Sequence, residues 1–202
     1  EYLTDSANLV RKMGHPLRFR ILEYLEIHGE TNVSALMDAM DQCQVCVSQS
    51  LKRLRRDDLV KDRRDGKFIY YAPCNESFGK LLRCIRGTYY FEHHGKEYKD
   101  KMPNAPLPDK FVSRISKKIN FMGHPTRYKI TEFLYANGAS SVSEIMEDLN
   151  EEQVPISFHL KQMKKEGMVD CYRDGQFIFY NITSELPRTL IRCMHRNKAP
   201  QE

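Results

Sequence analysis

The chain has 202 residues, 41% of them hydrophobic and 29% charged, with a formal net charge of +5. This is the composition of one large or two small globular domains, and it excludes a disordered tail, a collagen and a disulfide-stapled mini-protein. The cationic excess permits a polyanionic partner without requiring one, no run of about 18 apolar residues is available to span a membrane, and six cysteines are too few for a disulfide scaffold and suit a reducing, cytoplasmic setting.

The first residues, Glu1-Tyr2-Leu3-Thr4-Asp5, lack the basic-then-apolar order of a secretory signal. Leu3, Ala7 and Val10 then recur at helical spacing. A segment opening at Pro16 carries Phe19, Ile21, Leu22 and Leu25 on a helical period and closes at Gly29, with proline near the start and glycine past the end. Val33, Leu36, Met37 and Met40 predict a short second helix with Ser34 as its capping candidate, and Asp41-Gln42 breaks it. A third helix follows, with Val47, Leu51 and Leu54 inward. Past Leu59-Val60 the period falls to two, and Asp65-Gly66 predicts a hairpin between Lys61–Arg64 and Lys67–Tyr71. Ser77, Leu81, Cys84 and Ile85 mark a last helix.

The chain then repeats itself. Met13-Gly14-His15-Pro16 returns as Met122-Gly123-His124-Pro125, and at the same offset Arg64-Asp65-Gly66 falls on Arg173-Asp174-Gly175 and Arg83-Cys84 on Arg192-Cys193. Residues 13–86 and 122–195 align without a gap and share about 28 of roughly 74 positions, a tandem duplication. The last helix recurs with Leu186, Leu190, Cys193 and Met194. We expect a first domain over 1–87, a linker over 88–109 whose second part holds Pro103, Pro106 and Pro108, and a second domain over 110–202.

Helix, helix, turn, helix, hairpin, helix is the order of a winged helix-turn-helix, so the expected fold is mainly α with small β-wings, twice in tandem. Met13-Gly14-His15-Pro16-Leu17-Arg18 resembles the start of the DNA-binding helix bundle of the ArsR/SmtB repressors. Gln44-Val45-Cys46-Val47-Ser48-Gln49-Ser50-Leu51-Lys52 and Gln153-Val154-Pro155-Ile156-Ser157-Phe158-His159-Leu160-Lys161 resemble that family's recognition helix, and only the second keeps the family's His before Leu. The resemblance covers both repeats. It implies a transcriptional regulator, most simply a repressor, whose partner is double-stranded DNA.

With Val47, Leu51 and Leu54 inward, Gln44, Ser48, Gln49, Lys52, Arg53 and Arg56 face outward, where amides read adenine edges and cations hold phosphate or guanine. The wing adds Arg63, Arg64 and Lys67, and the second repeat offers Gln153, Ser157, Phe158, Lys161 and Arg173. Over 45–67 there are about eight cations against four acids, and over 154–176 about four against three, so the halves should grip phosphate unequally. Phe158 at an outward position suits a thymine methyl, a protein contact, or a unit that has partly given up sequence reading.

Relatives of this kind pair as homodimers through their first and last helices, which implies an intramolecular pseudo-dimer here, open to further self-association. A linker of roughly 20 residues spans up to about 65–70 Å, ample for that pairing. Phe111, Ile115, Ile119 and Met122, like Leu3, Ala7 and Val10, are then candidate pairing surface, and the operator should be an imperfect palindrome.

The family's Cys-x-Cys metal signature is missing before the turn, as are its Asp/His pairs on the last helix, so neither metal nor cofactor is expected. Cys43-Gln44-Val45-Cys46 stands at the turn into the first recognition helix. It reads as structural filling, as a redox pair whose thiol the helix N-terminus acidifies, or as half a zinc site short of nearby His. Cys84 and Cys193 are small hydrophobes or, if the repeats pair, a second thiol switch. His15 and His124 suit capping or packing, and His93-His94 is a feeble metal signal in the linker. No Gly-rich phosphate loop, nucleophile elbow or HExxH is present, so no enzyme is expected. The alternatives are a protein-interaction module using Phe158 and Tyr89-Tyr90-Phe91, and a metal- or ligand-sensing regulator with a small molecule between the last helices.

Overall fold

The structure is a computed structural model that describes residues 2–74, 76–94 and 105–196. In the first repeat, helices α1 (Tyr2–Met13) and α2 (Pro16–His28) precede strand β1 (Thr31–Asn32), α3 (Val33–Met40), α4 (Gln44–Arg56), β2 (Val60–Asp65), β3 (Phe68–Pro73) and α5 (Glu76–His94). The second repeats the order: α6 (Asp109–Met122), α7 (Pro125–Asn137), β4 (Ser140–Ser141), α8 (Val142–Leu149), α9 (Gln153–Lys165), β5 (Val169–Asp174), β6 (Phe177–Ile182) and α10 (Glu185–Arg196). Each repeat is a winged helix-turn-helix, and no described helix is long and apolar enough to cross a membrane.

The chain divides into two compact units that exchange their leading helices. One is Lys12–Asn120, and the other joins Glu1–Arg11 to Phe121–Glu202. Thus α1 is grouped with the second repeat and α6 with the first, a division that differs from the cut at 87 and 110 expected from the repeat alone. The first part of the expected linker is also helical, because α5 runs on through His94. Residues 95–104, including Pro103, lie outside the described residues.

Phe19, Ile21, Leu22 and Leu25 of α2, Leu36 of α3, and Val47, Leu51 and Leu54 of α4 are fully buried, and their counterparts Tyr128, Ile130, Leu134, Ile145, Ile156, Leu160 and Met163 do the same in the other unit. The inward residues read at helical spacing on α2 and α4 are therefore core, whereas on α3 Leu36 is buried and Val33, Met37 and Met40 are half-buried. Ala7, Val10, Ile115, Ile119 and Met122 are buried as well, Phe111 is half-buried, and the side chain of Leu3 lies outside the described ones.

Local chemistry departs from expectation at three places. Asn32, not Ser34, caps α3, its side chain accepting from the Ala35 N–H at 2.9 Å, and in the second repeat Ser141 and Glu144 complete a reciprocal capping box on α8. That extended capping residue also pairs with the hairpin, so each wing is a three-stranded antiparallel sheet, β1-β3-β2 and β4-β6-β5. In the hairpins Asp65 pairs with Phe68 and Asp174 with Phe177, which places Gly66-Lys67 and Gly175-Gln176 at the tips and leaves the aspartates as last strand residues. Only the glycines there adopt positive φ, +57° and +59°, the glycine-first turn that matches strand twist.

His15 and His124 occupy the N-cap positions of α2 and α7, yet neither side chain caps. His124 packs instead, its ring 4.5 Å from that of His159.

Candidate nucleic-acid interface

Helix α3 ends in a left-handed residue, Asp41 at φ +48°, and α8 in Asn150 at φ +50°. These short polar residues tolerate that region and turn the chain sharply into α4 and α9. The inward pull of Val47, Leu51 and Leu54 then fixes what α4 shows to solvent: Gln44, Ser48, Gln49, Lys52, Arg53 and Arg56 are all exposed. Arg55 is exposed too and reaches Asp62 of β2 at 2.8 Å, bridging the end of α4 to the wing.

Not every basic residue of the wing is equally available. Arg63 holds Glu30 at 2.8 Å and Asp65 at 3.2 Å, and these carboxylates push its pKa up, Glu30 first. Its charge is already matched twice. Arg64 bonds the Gly66 carbonyl at the wing tip, at 3.2 Å, and its equivalent Arg173 bonds the Gly175 carbonyl at 3.1 Å. Lys67 lies over the ring of Phe68 at 5.3 Å.

Sequence reasoning missed the apolar side chains that each unit exposes beside these cations. Val45 and Val154 lead their helices, 62% and 77% exposed, and Phe68-Ile69 and Phe177-Ile178 crown the wing tips. No period-two signal marks the wing pairs: Phe68-Ile69 and Phe177-Ile178 are consecutive, so each pair occupies both faces of its strand, and both residues are exposed beside the hairpin tip. In α9 Phe158 is 55% exposed, while Gln153 and Lys161 are exposed and Ser157 half-buried.

Cys43 is the N-cap residue of α4, and Cys46 lies one turn on. Both are free and exposed, with their Sγ atoms 3.2 Å apart. The Cys46 backbone N–H, and after it the Cys46 thiol, draw the Cys43 pKa below the ordinary thiol value, while that same contact raises Cys46. The contact thus favours ionisation of Cys43 over that of Cys46. Cys84, half-buried in α5, and Cys193, buried in α10, are disulfide-bonded and so are not the free thiols that the sequence suggested.

Of the aromatic cluster expected to meet a partner, the Phe91 side chain lies outside the described ones, and Tyr89 and Tyr90 are used internally. Tyr90 is buried, and Tyr89 packs on Phe111 at 4.4 Å and on His93 at 4.2 Å. His93 also bonds the Tyr89 carbonyl through Nδ1 at 2.8 Å, and no group of three potential metal ligands occurs among the described residues.

A family profile described as bacterial regulatory protein, arsR family, matches residues 15–62 and 124–170, the helix-turn-helix of each repeat. The chain is 36% identical over 72 residues to the uncharacterized HTH-type transcriptional regulator MJ1325 of Methanocaldococcus jannaschii, covering 36% of this chain and 81% of that one. It is 36% identical over 87 residues to the transcriptional repressor PagR of Bacillus anthracis, covering 42% and 87%. Among solved structures, the transcriptional regulator HlyU of Vibrio vulnificus is similar at 30% identity and a TM-score of 0.38, over 40% of this chain and 83% of that one.

Proposed function

Since the chain belongs to the ArsR family of transcriptional regulators, we propose that it reads DNA sequence with two unequal winged helices carried on one polypeptide, and represses by occluding a promoter. The observation that carries this reading is the surface of the first repeat. There α4 and its wing bring two glutamines, a serine and a set of exposed cations onto elements that a winged helix applies to the major groove and its flanking phosphates. Gln44 and Gln49 serve adenine edges, Arg53 and Arg56 guanine or phosphate, and Lys52, Arg64 and Lys67 phosphate. In the second repeat Gln153, Ser157, Lys161 and Arg173 have the same places with fewer charges, and Phe158 takes a thymine methyl. The relatives are transcription regulators, which supports a binding protein working in the cytoplasm over an enzyme.

The repeats act as an intramolecular pseudo-dimer on an imperfect palindrome. Two reciprocal close approaches support this: in one unit Gly14 lies against Asn120, and in the other Gly123 lies against Arg11. The offset that carries Gly14 onto Gly123 also carries Arg11 onto Asn120. A contact of i with j matched by j with i is the mark of two-fold pairing. Gly14 and Gly123 are required because a Cβ at either would meet the opposing backbone.

Thiol oxidation at Cys43/Cys46 switches the protein off. The Cys43 thiolate attacks a peroxide, ROOH, releasing the alcohol ROH and becoming a sulfenic acid. Cys46 then displaces water from that sulfur, so two thiols and one peroxide give one disulfide, ROH and H2O. Closing the sulfurs to about 2.05 Å pulls on the first turn of α4, the turn that carries Gln44.

Fluorescence anisotropy of a selected operator, titrated with salt, tests the DNA reading. The logarithm of affinity should fall linearly with that of salt concentration, at a slope of about −0.9 for each phosphate neutralised. A flat salt response with no preference over random duplex would contradict it and favour a protein-binding role.

A further inference from the structure

Beside the reading helix of the first repeat, one unit holds a cavity of about 520 Å³ that DNA recognition does not explain. Its walls come from the start of α2, the end of α3 and the turn after it, one side of α4 and the start of α6, all within Lys12–Asn120. Four cationic or basic side chains line it: His15, Arg18, Arg20 and Arg53. Asp109 is the one carboxylate in the lining, and Arg20 already holds it at 2.5 Å while also holding the buried Glu23 at 2.6 Å.

The other three are not balanced in this way. Burial lowers the pKa of His15, and the charges of Arg18 and Arg53 lower it further. Burial followed by Arg53 lowers that of Arg18, with only Asp57 acting against them. Asp57 is itself within 3.7 Å of Arg56. Clustered like charge raises the energy of the protein alone and is relieved by an anion. Leu17, Met40 and Val112 add apolar surface to the same lining.

We propose that this cavity binds a small phosphomonoester with an apolar body, and that its occupancy competes with DNA for Arg53. A phosphomonoester carries between one and two negative charges at neutral pH and three acceptor oxygens, which suits two guanidiniums and an imidazole. The volume exceeds the needs of a phosphate alone and leaves room for the body. The second repeat lacks the means: Arg53 is replaced by Gln162, Gln49 by Phe158 and Ser50 by His159, whose ring rests on His124. The sensing is therefore one-sided. Because Arg53 stands on α4, a phosphate drawn into the cavity takes a cation away from the DNA-facing surface. That coupling rests on the DNA reading above, whereas the binding itself does not.

Phenyl phosphate is the probe, titrated calorimetrically into the full chain in reducing buffer without DNA. One site per chain is expected. Ser50→His and Arg53→Gln, each installing the second repeat's own residue, should weaken binding at least about tenfold, a ΔΔG of about 1.4 kcal/mol, with far-UV circular dichroism unchanged. No heat at about 10 mM, or full binding by S50H, would overturn the proposal and leave the cations to a DNA backbone phosphate. In a second arm, saturating phenyl phosphate should weaken operator binding by wild type and not by S50H, since linkage is reciprocal. Unchanged operator affinity in wild type would overturn the competition, and failure of operator binding altogether would overturn the DNA reading while the first arm stands.

Discussion

Cys43 and Cys46 show how much function two side chains can concentrate at one helix start. Their sulfurs are already 3.2 Å apart and unequally acidified, so mild peroxide should release the operator from wild type and leave a Cys43→Ser/Cys46→Ser variant bound, as read by anisotropy. Equal release from both would place the sensitivity elsewhere. At the wing, Arg64→Ala should weaken binding to all sequences alike and make the salt slope shallower by about one phosphate. Arg63→Ala should do less, because Glu30 and Asp65 already hold that guanidinium. The outward set on α4 was legible in the sequence because the inward residues are apolar at strict helical spacing. The pairing of Arg63 was not: Glu30 is distant along the chain, and only the three-stranded sheet brings it near.

Among the elements, the helix starts make the sharpest claims. Ser141 and Glu144 satisfy each other's backbone at the head of α8, and Ser141→Ala should cost about 1 kcal/mol in urea unfolding. The Ser141 N–H, then its hydroxyl, lower the Glu144 pKa. This contribution is present above the ordinary value of 4.5 and is lost as pH falls through the lowered one. His124 and His159, packed between α7 and α9, are lowered from 6.5, mainly by burial and then by neighbouring cationic groups, while Glu151 opposes this at His159. The unfolded chain then takes up protons first, so stability should fall as pH drops below about 6.5 and level off below the folded pKa values. His159→Ser should flatten that slope, and a slope unchanged in the variant would show that other groups set it. Periodicity revealed the helices, but the cap of α3 lay two positions before the hydroxyl of Ser34. Ser34 was the obvious residue, yet Asn32 is the one in extended geometry with an acceptor within reach of Ala35.

For the whole molecule, duplication was plain in the sequence and the exchange of leading helices was not. The apolar faces of α1 and α6 announce that they are buried, without saying against which repeat. The glycines carry the missing information: Gly14 and Gly123 are equivalent, and each faces the equivalent of the other's neighbour. Gly14→Ala forces a Cβ into the Asn120 backbone and should destabilise the chain by about 1–3 kcal/mol in urea unfolding. An unaffected midpoint would mean that this close approach is not needed. The unequal charge of the two reading surfaces belongs to the same scale, since a single chain can diverge at one half-site without disturbing the other.

The measurement that bears most directly on this account is selection of genomic fragments by the reduced full chain, followed by hydroxyl-radical footprinting of the strongest one at increasing salt. One chain per site should protect two half-sites of related but unequal sequence, about one or two helical turns apart, and the half with the weaker match should lose protection first. Protection of a single half-site by each chain, or a perfect palindrome that needs two chains, would contradict the reading of the tandem repeat as a built-in, asymmetric dimer.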